Sequence, residues 1–153
     1  MLNIVLVHPE IPHNTGAAGR LALATGATLH LIEPLGFDIS DTAVKRAGLD
    51  YWKDVKLKKW ASWDAFNASL DESDRLFMLT TKSTKPHWDA AFQPGDYLVF
   101  GRETKGLDED LIAQHHKHAF RIPMVEGSTR SLNLATSVGI VLYEAYRQIN
   151  TGH

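Results

Sequence analysis

Three short apolar runs in this chain each end in a polar turn that leads straight into a helical pattern, and no other feature restricts the fold as much. They are VLVHPEIPHNTGAAGR at 5–20, LVFGRETKGL at 98–107 and IPMVEGSTRSLNL at 122–134. Strands that alternate with helices pack as an α/β domain, a mostly parallel sheet flanked by helices. In an open sheet of that kind, ligands bind outside the carboxyl ends of the strands, where these turns fall. Three such turns in 153 residues point to one composite pocket.

The rest of the chain fits around them. Leu2–Val7 has the Ile and Val content of a strand, His8–His13 reads as a proline-bearing loop, and Asn14 suits a helix N-cap. Gly26 is the expected stop, and Thr28–Ile32 the next strand, parallel to the first because a helix joins them. Helical pieces are expected near Asp41–Ala47 and Trp63–Leu70, compact strands at Leu76–Thr80 and Tyr97–Phe100, a short helix at Leu107–Ala113 and a strand at Ala119–Met124. The longest helix is predicted over 132–149, about 27 Å at the α-helical rise. On one of its faces Ala135 and Gly139 lie four apart, a flat surface suited to close packing. Residues 1–153 read as a single domain. The N-terminus looks like a strand and no apolar stretch approaches the ~20 residues of a membrane span, so a soluble cytoplasmic protein with no membrane partner is expected. With no cysteine, disulfides and thiolate metal sites are excluded.

Chemistry is concentrated in the turns. In Asn14-Thr-Gly-Ala-Ala-Gly-Arg20, small residues near a helix start would expose amides to a phosphate, with Arg20 within reach of the same anion. The plain alternative is a tightly packed helix start with a surface arginine. In Phe100-Gly-Arg-Glu-Thr-Lys-Gly106, Gly101 allows a flat ligand close to the backbone and Gly106 closes the turn, with Glu103 between Arg102 and Lys105. A solvated turn of mutually paired charges is the competing reading. Ser131 and Asn133 open the long helix, where one capping residue would suffice, yet five of the six residues at 128–133 are polar.

The net charge is only −2, but residues 45–59 hold six basic and two acidic side chains, so any nucleic-acid contact must be local. Lys56, Lys58 and Lys59, interleaved with Tyr51, Trp52, Trp60 and Trp63, have the composition that binds RNA phosphates and stacks unpaired bases. A solvated basic face with inward tryptophans is the alternative, and the preferred one for Trp63. Gln114-His-His-Lys-His118 has three imidazoles without an acidic or cysteine partner, and no metal is assigned to it.

Taken together, the three turns resemble the three motifs of the SPOUT class of RNA methyltransferases, in its SpoU branch. LNIVLVHPEIPHNTG, HLIEPLGF, KRAGLDYW, RLFMLTTK and DYLVFGRETKGL are similar, nearly in register, to the TrmL (YibK-type) tRNA 2′-O-methyltransferases, and the likeness spans almost the whole chain. The resemblance implies a C-terminal trefoil knot, an exception to the rule that chains avoid knots. It implies S-adenosyl-L-methionine as methyl donor and S-adenosyl-L-homocysteine as product, with Leu79, Gly101 and Ile122 supplying backbone to the ligand and Ser131 and Leu132 closing the pocket. It also implies a homodimer to which the long helix contributes.

The reaction it implies is methylation of the ribose 2′-hydroxyl at position 34, a cytidine or 5-modified uridine, in the tRNA anticodon loop. Asn14, Arg20, Glu103, Ser131 and Asn133 match catalytic or RNA-binding positions, with Arg20 activating the hydroxyl. A guanidinium keeps its proton across the range in which proteins work. Holding the neighbouring phosphate and stabilising a developing alkoxide would serve the same end. Arg102 can add a phosphate contact. It stands where the motif commonly has proline, as does His13. The other readings are a methyltransferase for another tRNA site or ribosomal RNA, and a non-catalytic RNA- or cofactor-binding module on this fold.

Overall fold

The first strand buries every residue after its first, the pattern of a strand with neighbours on both edges. In the computed structural model, which describes residues 1–40, 42, 44, 46 and 49–151, the strands are β1 (Asn3–Val7), β2 (Thr28–Ile32), β3 (Lys56–Trp60), β4 (Leu76–Leu79), β5 (Tyr97–Phe100) and β6 (Ala119–Phe120). The helices, numbered here in order, are α1 (Pro12–Thr25), α2 (Trp63–Ala68), α3 (Glu109–Gln114) and α4 (Leu134–Thr151). The six strands form one sheet in the order β3-β2-β1-β5-β4-β6, and every pair is parallel. The chain builds outward from β1 to β3, then crosses back to lay β5 on the other side of β1. Between β1 and β5 the sheet therefore has a switch point, where an open α/β sheet leaves a crevice.

Alternation along the strands divides the core between two faces. Ile4, Leu6, Leu29, Leu31, Leu98 and Phe100 face α1 and α4, and meet Ala18, Ala22, Val138 and Leu142 there. Val5, Val7, Ile32, Met78 and Val99 face the other way, onto Phe66, Leu107 and Leu111. Gly26 ends α1 with a left-handed φ of 72°, as expected of a helix stop.

Several boundaries move. α1 begins at Pro12, because proline suits the first helical position, and Asn14 sits inside the first turn. Asn14 is therefore not the cap. The long helix runs over 134–151, two residues later than expected, since Asn133 caps it through an oxygen that accepts from the Thr136 N–H at 3.1 Å. The strand expected over Ala119–Met124 pairs with β4 for only two residues, after which Arg121 forms a lone bridge to Pro86. β3 is an edge strand that the lysine-rich sequence did not suggest. Of the helical piece expected near Asp41–Ala47, the described residues 42, 44 and 46 are helical.

Candidate active site

At the carboxyl ends of β4 and β5 the chain forms a cleft of about 260 Å³. All five expected ligand-contacting residues line it: Leu79, Gly101, Ile122, Ser131 and Leu132. They arrive from three separate segments, the ends of β4 and β5 and the connection that follows β6. Leu79, Phe100, Ile122 and Leu134 supply apolar walls, while Thr80, Ser131 and Ser137 bring hydroxyls. Lys82, Lys105 and Arg130 add positive charge to the lining.

The 101–106 loop is one wall. It turns back on itself, with the Gly106 N–H donating to the Arg102 carbonyl at 2.9 Å, and Gly106 holds a φ of 68°. A Cβ on Gly101 would overlap the backbone of Gly106 and Leu107. Gly101 is therefore required for the loop to close, besides any approach of a ligand. Arg102 pairs with Asp108 at 2.8 Å, so the side chain that replaces the motif's proline braces the loop against the start of α3.

Behind the wall, the polar residues of all three motifs are joined. Glu103 accepts from the backbone N–H groups of Glu10 and Ile11 at 2.7 and 2.8 Å, and from the Asn14 amide at 3.2 Å. Asn14, buried, in turn accepts from the Asn133 amide at 3.0 Å. Glu103, Asn14 and Asn133 thus form one chain that ties the loop after β1, the loop after β5 and the head of α4. Asn133 both caps α4 and continues this chain.

The first motif is the tightly packed helix start with a surface arginine, the alternative to a phosphate cradle. Gly16, Ala18 and Gly19 lie within α1 and are buried, so their amides serve the helix and cannot cradle a phosphate. A Cβ on Gly19 would come within 2.6 Å of the Trp52 ring, which makes this glycine a packing requirement. Arg20, exposed, does not line the cleft. It borders a separate groove between α1 and α4 with His13, Ala17, Arg46, Ala135 and Gly139, and its guanidinium lies 5.5 Å from the centroid of the Tyr51 ring. The expected catalytic arginine and the expected cofactor pocket are therefore on different surfaces of one chain.

The basic segment is also resolved into parts. Lys56, Lys58 and Lys59 lie on β3, at the sheet edge, and Lys59 is 3.9 Å from Glu33. Trp60 stacks on His30 and Trp52 packs against the core, so neither is a free platform for a base. Trp63 packs on the core as well, beside Phe66. His118 stacks on Phe77 at 4.9 Å. Among the described residues no group of three His, Cys, Asp or Glu side chains is placed to hold a metal.

Sequence reasoning passed over Glu10 and Thr104. Glu10 Oε1 accepts from the Thr104 backbone N–H at 3.0 Å and from its hydroxyl at 2.8 Å. These hydrogen bonds, with Arg102 and Lys105 nearby, hold the Glu10 carboxyl below its ordinary value. Nothing in local spacing marks this pair, because its members are 94 positions apart.

Residues 1–143 match the model of the SpoU rRNA Methylase family. A tRNA (cytidine(34)-2′-O)-methyltransferase of Burkholderia ambifaria is 47% identical over 150 residues, covering 97% of this chain and 96% of the relative. A structure solved in work on 2-OH methylation of C/U34 on tRNA superposes with a TM-score of 0.94 at 47% identity, covering 100% of this chain and 98% of the other. The SpoU methyltransferase AviRb of Streptomyces viridochromogenes, solved with the cofactor AdoMet, shares the fold. It is 24% identical with a TM-score of 0.83, over 97% of this chain and 57% of that one.

Proposed function

The chain belongs to the SpoU rRNA methylase family, and on that footing we propose that it methylates the ribose 2′-hydroxyl of the wobble nucleotide, position 34, of tRNA, using S-adenosyl-L-methionine. The observation that carries this reading is the cleft. Five residues expected from the sequence converge on it from three segments, in a chain whose 47%-identical relative bears that activity in its name. Apolar walls beside hydroxyls suit a purine nucleoside, and strand-end backbone is available for its polar edge. Leu79, Gly101, Ile122, Ser131 and Leu132 would hold the donor. When bound, it supplies an electrophilic methyl group on a sulfonium, already a good leaving group.

The chain's own part is alignment and management of one proton. Asn14 and Glu103 set the loops, and Asn133 fixes the head of α4, just ahead of which lie Ser131 and Leu132. Arg20 is assigned to the RNA, holding the phosphate beside the reacting ribose and stabilising negative charge as it develops on the 2′-oxygen. It reaches the reaction by way of a homodimer, in which the α1–α4 groove of one subunit faces the cleft of the other. This accounts for the separation of the two surfaces within one chain. The C-terminal trefoil knot belongs to the same reading. It is supported by residues 101–107 lining a single cleft with Ile122, Met124, Arg130, Ser131 and Leu132, and by Asn133 returning to Asn14. Among the described residues no helix is long and apolar enough to cross a membrane, and tRNA as substrate puts the work in the cytoplasm.

Methyl transfer from labelled S-adenosyl-L-methionine to total tRNA, with the modified nucleotide mapped, tests this. Label on the ribose of nucleotide 34, lost in Arg20→Ala, is the expected result. Label at another RNA site would keep the chemistry and overturn the target. Absence of transfer to any RNA despite donor binding would overturn the activity.

A further inference from the structure

The loop after β1 and the loop after β5 exchange carboxylates. Glu103 reaches back to the Glu10 and Ile11 amides, and Glu10 reaches forward to Thr104. Only the first half of this exchange involves a residue matched to a catalytic or RNA-binding position of the family. We propose that Glu10 is a positioning residue: through Thr104 it locks the 101–106 wall of the cleft to the loop from which α1 departs, so that filling the cleft and placing Arg20 are linked. The proposal rests on the cleft being the S-adenosyl-L-methionine site.

Three features make Glu10 an anchor. Its loop is backed on the far side by residues 35–36, where the Gly36 N–H donates to the Pro9 carbonyl at 2.9 Å. A Cβ on Gly36 would stand 2.8 Å from the Glu10 Cα and carbonyl oxygen, so the two backbones are in direct contact and Glu10 cannot retreat. His8, just before it, holds the left-handed φ of 55°, which turns the chain sharply at the end of β1. On the opposing side, Arg102 through Gly106 all line the cleft, so a shift of Thr104 is a shift of the wall. α1 starts immediately after Ile11 and carries Arg20 in rigid register. A chain of packed, hydrogen-bonded contacts between two sites is the physical means by which binding at one biases the other.

Both of Thr104's hydrogen bonds fall on a single oxygen, Oε1. The carbonyl oxygen of a glutamine can take that place, whereas alanine cannot. The experiment is calorimetric titration of S-adenosyl-L-homocysteine into wild type, Glu10→Ala, Glu10→Gln and Thr104→Val, with tRNA binding measured in the presence and absence of the nucleoside. Thermal melts establish that each variant is folded. Glu10→Ala is expected to bind the nucleoside about tenfold more weakly, Thr104→Val about threefold, and Glu10→Gln to recover most of the loss. The factor by which the nucleoside alters tRNA affinity should fall toward one in Glu10→Ala. A purely structural role would lower the melting temperature without moving that factor.

Unchanged nucleoside affinity in a folded Glu10→Ala, or a loss in Glu10→Gln equal to that in alanine, overturns the positioning role while the methyltransferase reading stands. Failure of the wild type to bind the nucleoside overturns the reading beneath it. Should Glu10→Ala not fold, Thr104→Val, which removes one exposed hydroxyl, carries the test.

Discussion

His30, in the middle of β2 and 3% exposed, has both ring nitrogens engaged. The Trp60 indole N–H donates to Nδ1 at 3.1 Å, and Nε2 lies 2.9 Å from Asn3 Oδ1. An indole can only donate, so Nδ1 is bare and Nε2 carries the proton. A second proton would point at the indole N–H, with Phe66 and Tyr97 packed around the ring. Burial, with the nearby Lys58 charge second, pushes this imidazole down to about 4. Between the ordinary value near 6.5 and that one, the unfolded chain binds a proton that the folded chain refuses. Stability attributable to His30 is therefore complete above pH ~6.5, falls as the pH drops through the window, and is gone near the folded value. Its size is on the order of 3 kcal/mol. Urea unfolding from pH 7.5 to 4 should show a steeper loss for wild type than for His30→Gln. Parallel curves for the two proteins would assign the titration to other groups.

Elements whose signal is local were the legible ones. β1, β2 and β5 declared themselves as apolar runs, and α1's end as a glycine with left-handed φ. α1's beginning was misread because Asn14 resembles a cap, while its amide and oxygen are spent on Glu103 and Asn133, 89 and 119 positions away. Contacts of that range leave no local trace. Of the five residues expected to line the cleft, Gly101, Ile122, Ser131 and Leu132 fall in turns that the strand-to-helix pattern already assigned to one pocket, whereas Leu79 came only from motif likeness. β3 was missed because Lys56, Lys58 and Lys59 look like a patch, and the strand exists by virtue of pairing with β2. As an edge strand it presents unpaired backbone groups, and lysines there discourage a second chain from adding to the sheet. Replacing all three by threonine is expected to promote self-association, read by light scattering, with tRNA affinity changed less than about threefold. A loss of tRNA affinity beyond about tenfold, with unchanged association state and a shallower salt dependence, would make RNA contact their principal duty.

For the whole molecule, the separation of Arg20 from the cleft has a consequence that can be counted. Within one chain Arg20 is six positions beyond Asn14, about 9 Å along α1 and turned away from the Glu103 contact. It shares its groove with Ala135 and Gly139, and α4 continues from there with Ile140, Tyr143 and Tyr146 exposed. Small residues beside exposed aromatics suit close approach of a second copy, and a two-fold pairing would present each groove to the other subunit's cleft. Consider Arg20→Ala, which keeps the cleft, and Leu132→Arg, which fills the cleft and keeps the arginine. Each variant alone is expected to be inactive. If the two parts of a site come from different subunits, a heterodimer has one intact site and one doubly damaged site. Mixing equal amounts under conditions that allow exchange should then restore about a quarter of wild-type methyl transfer per subunit, since half the dimers are mixed and half their sites are whole. If both parts come from the same subunit, no site in the mixture is complete and activity stays at the level of the separate variants. The quarter-restored rate therefore requires assembly across the interface. It would also fix which surface of the dimer the anticodon loop must enter, since phosphate held at Arg20 of one subunit must leave the ribose over the other subunit's cleft.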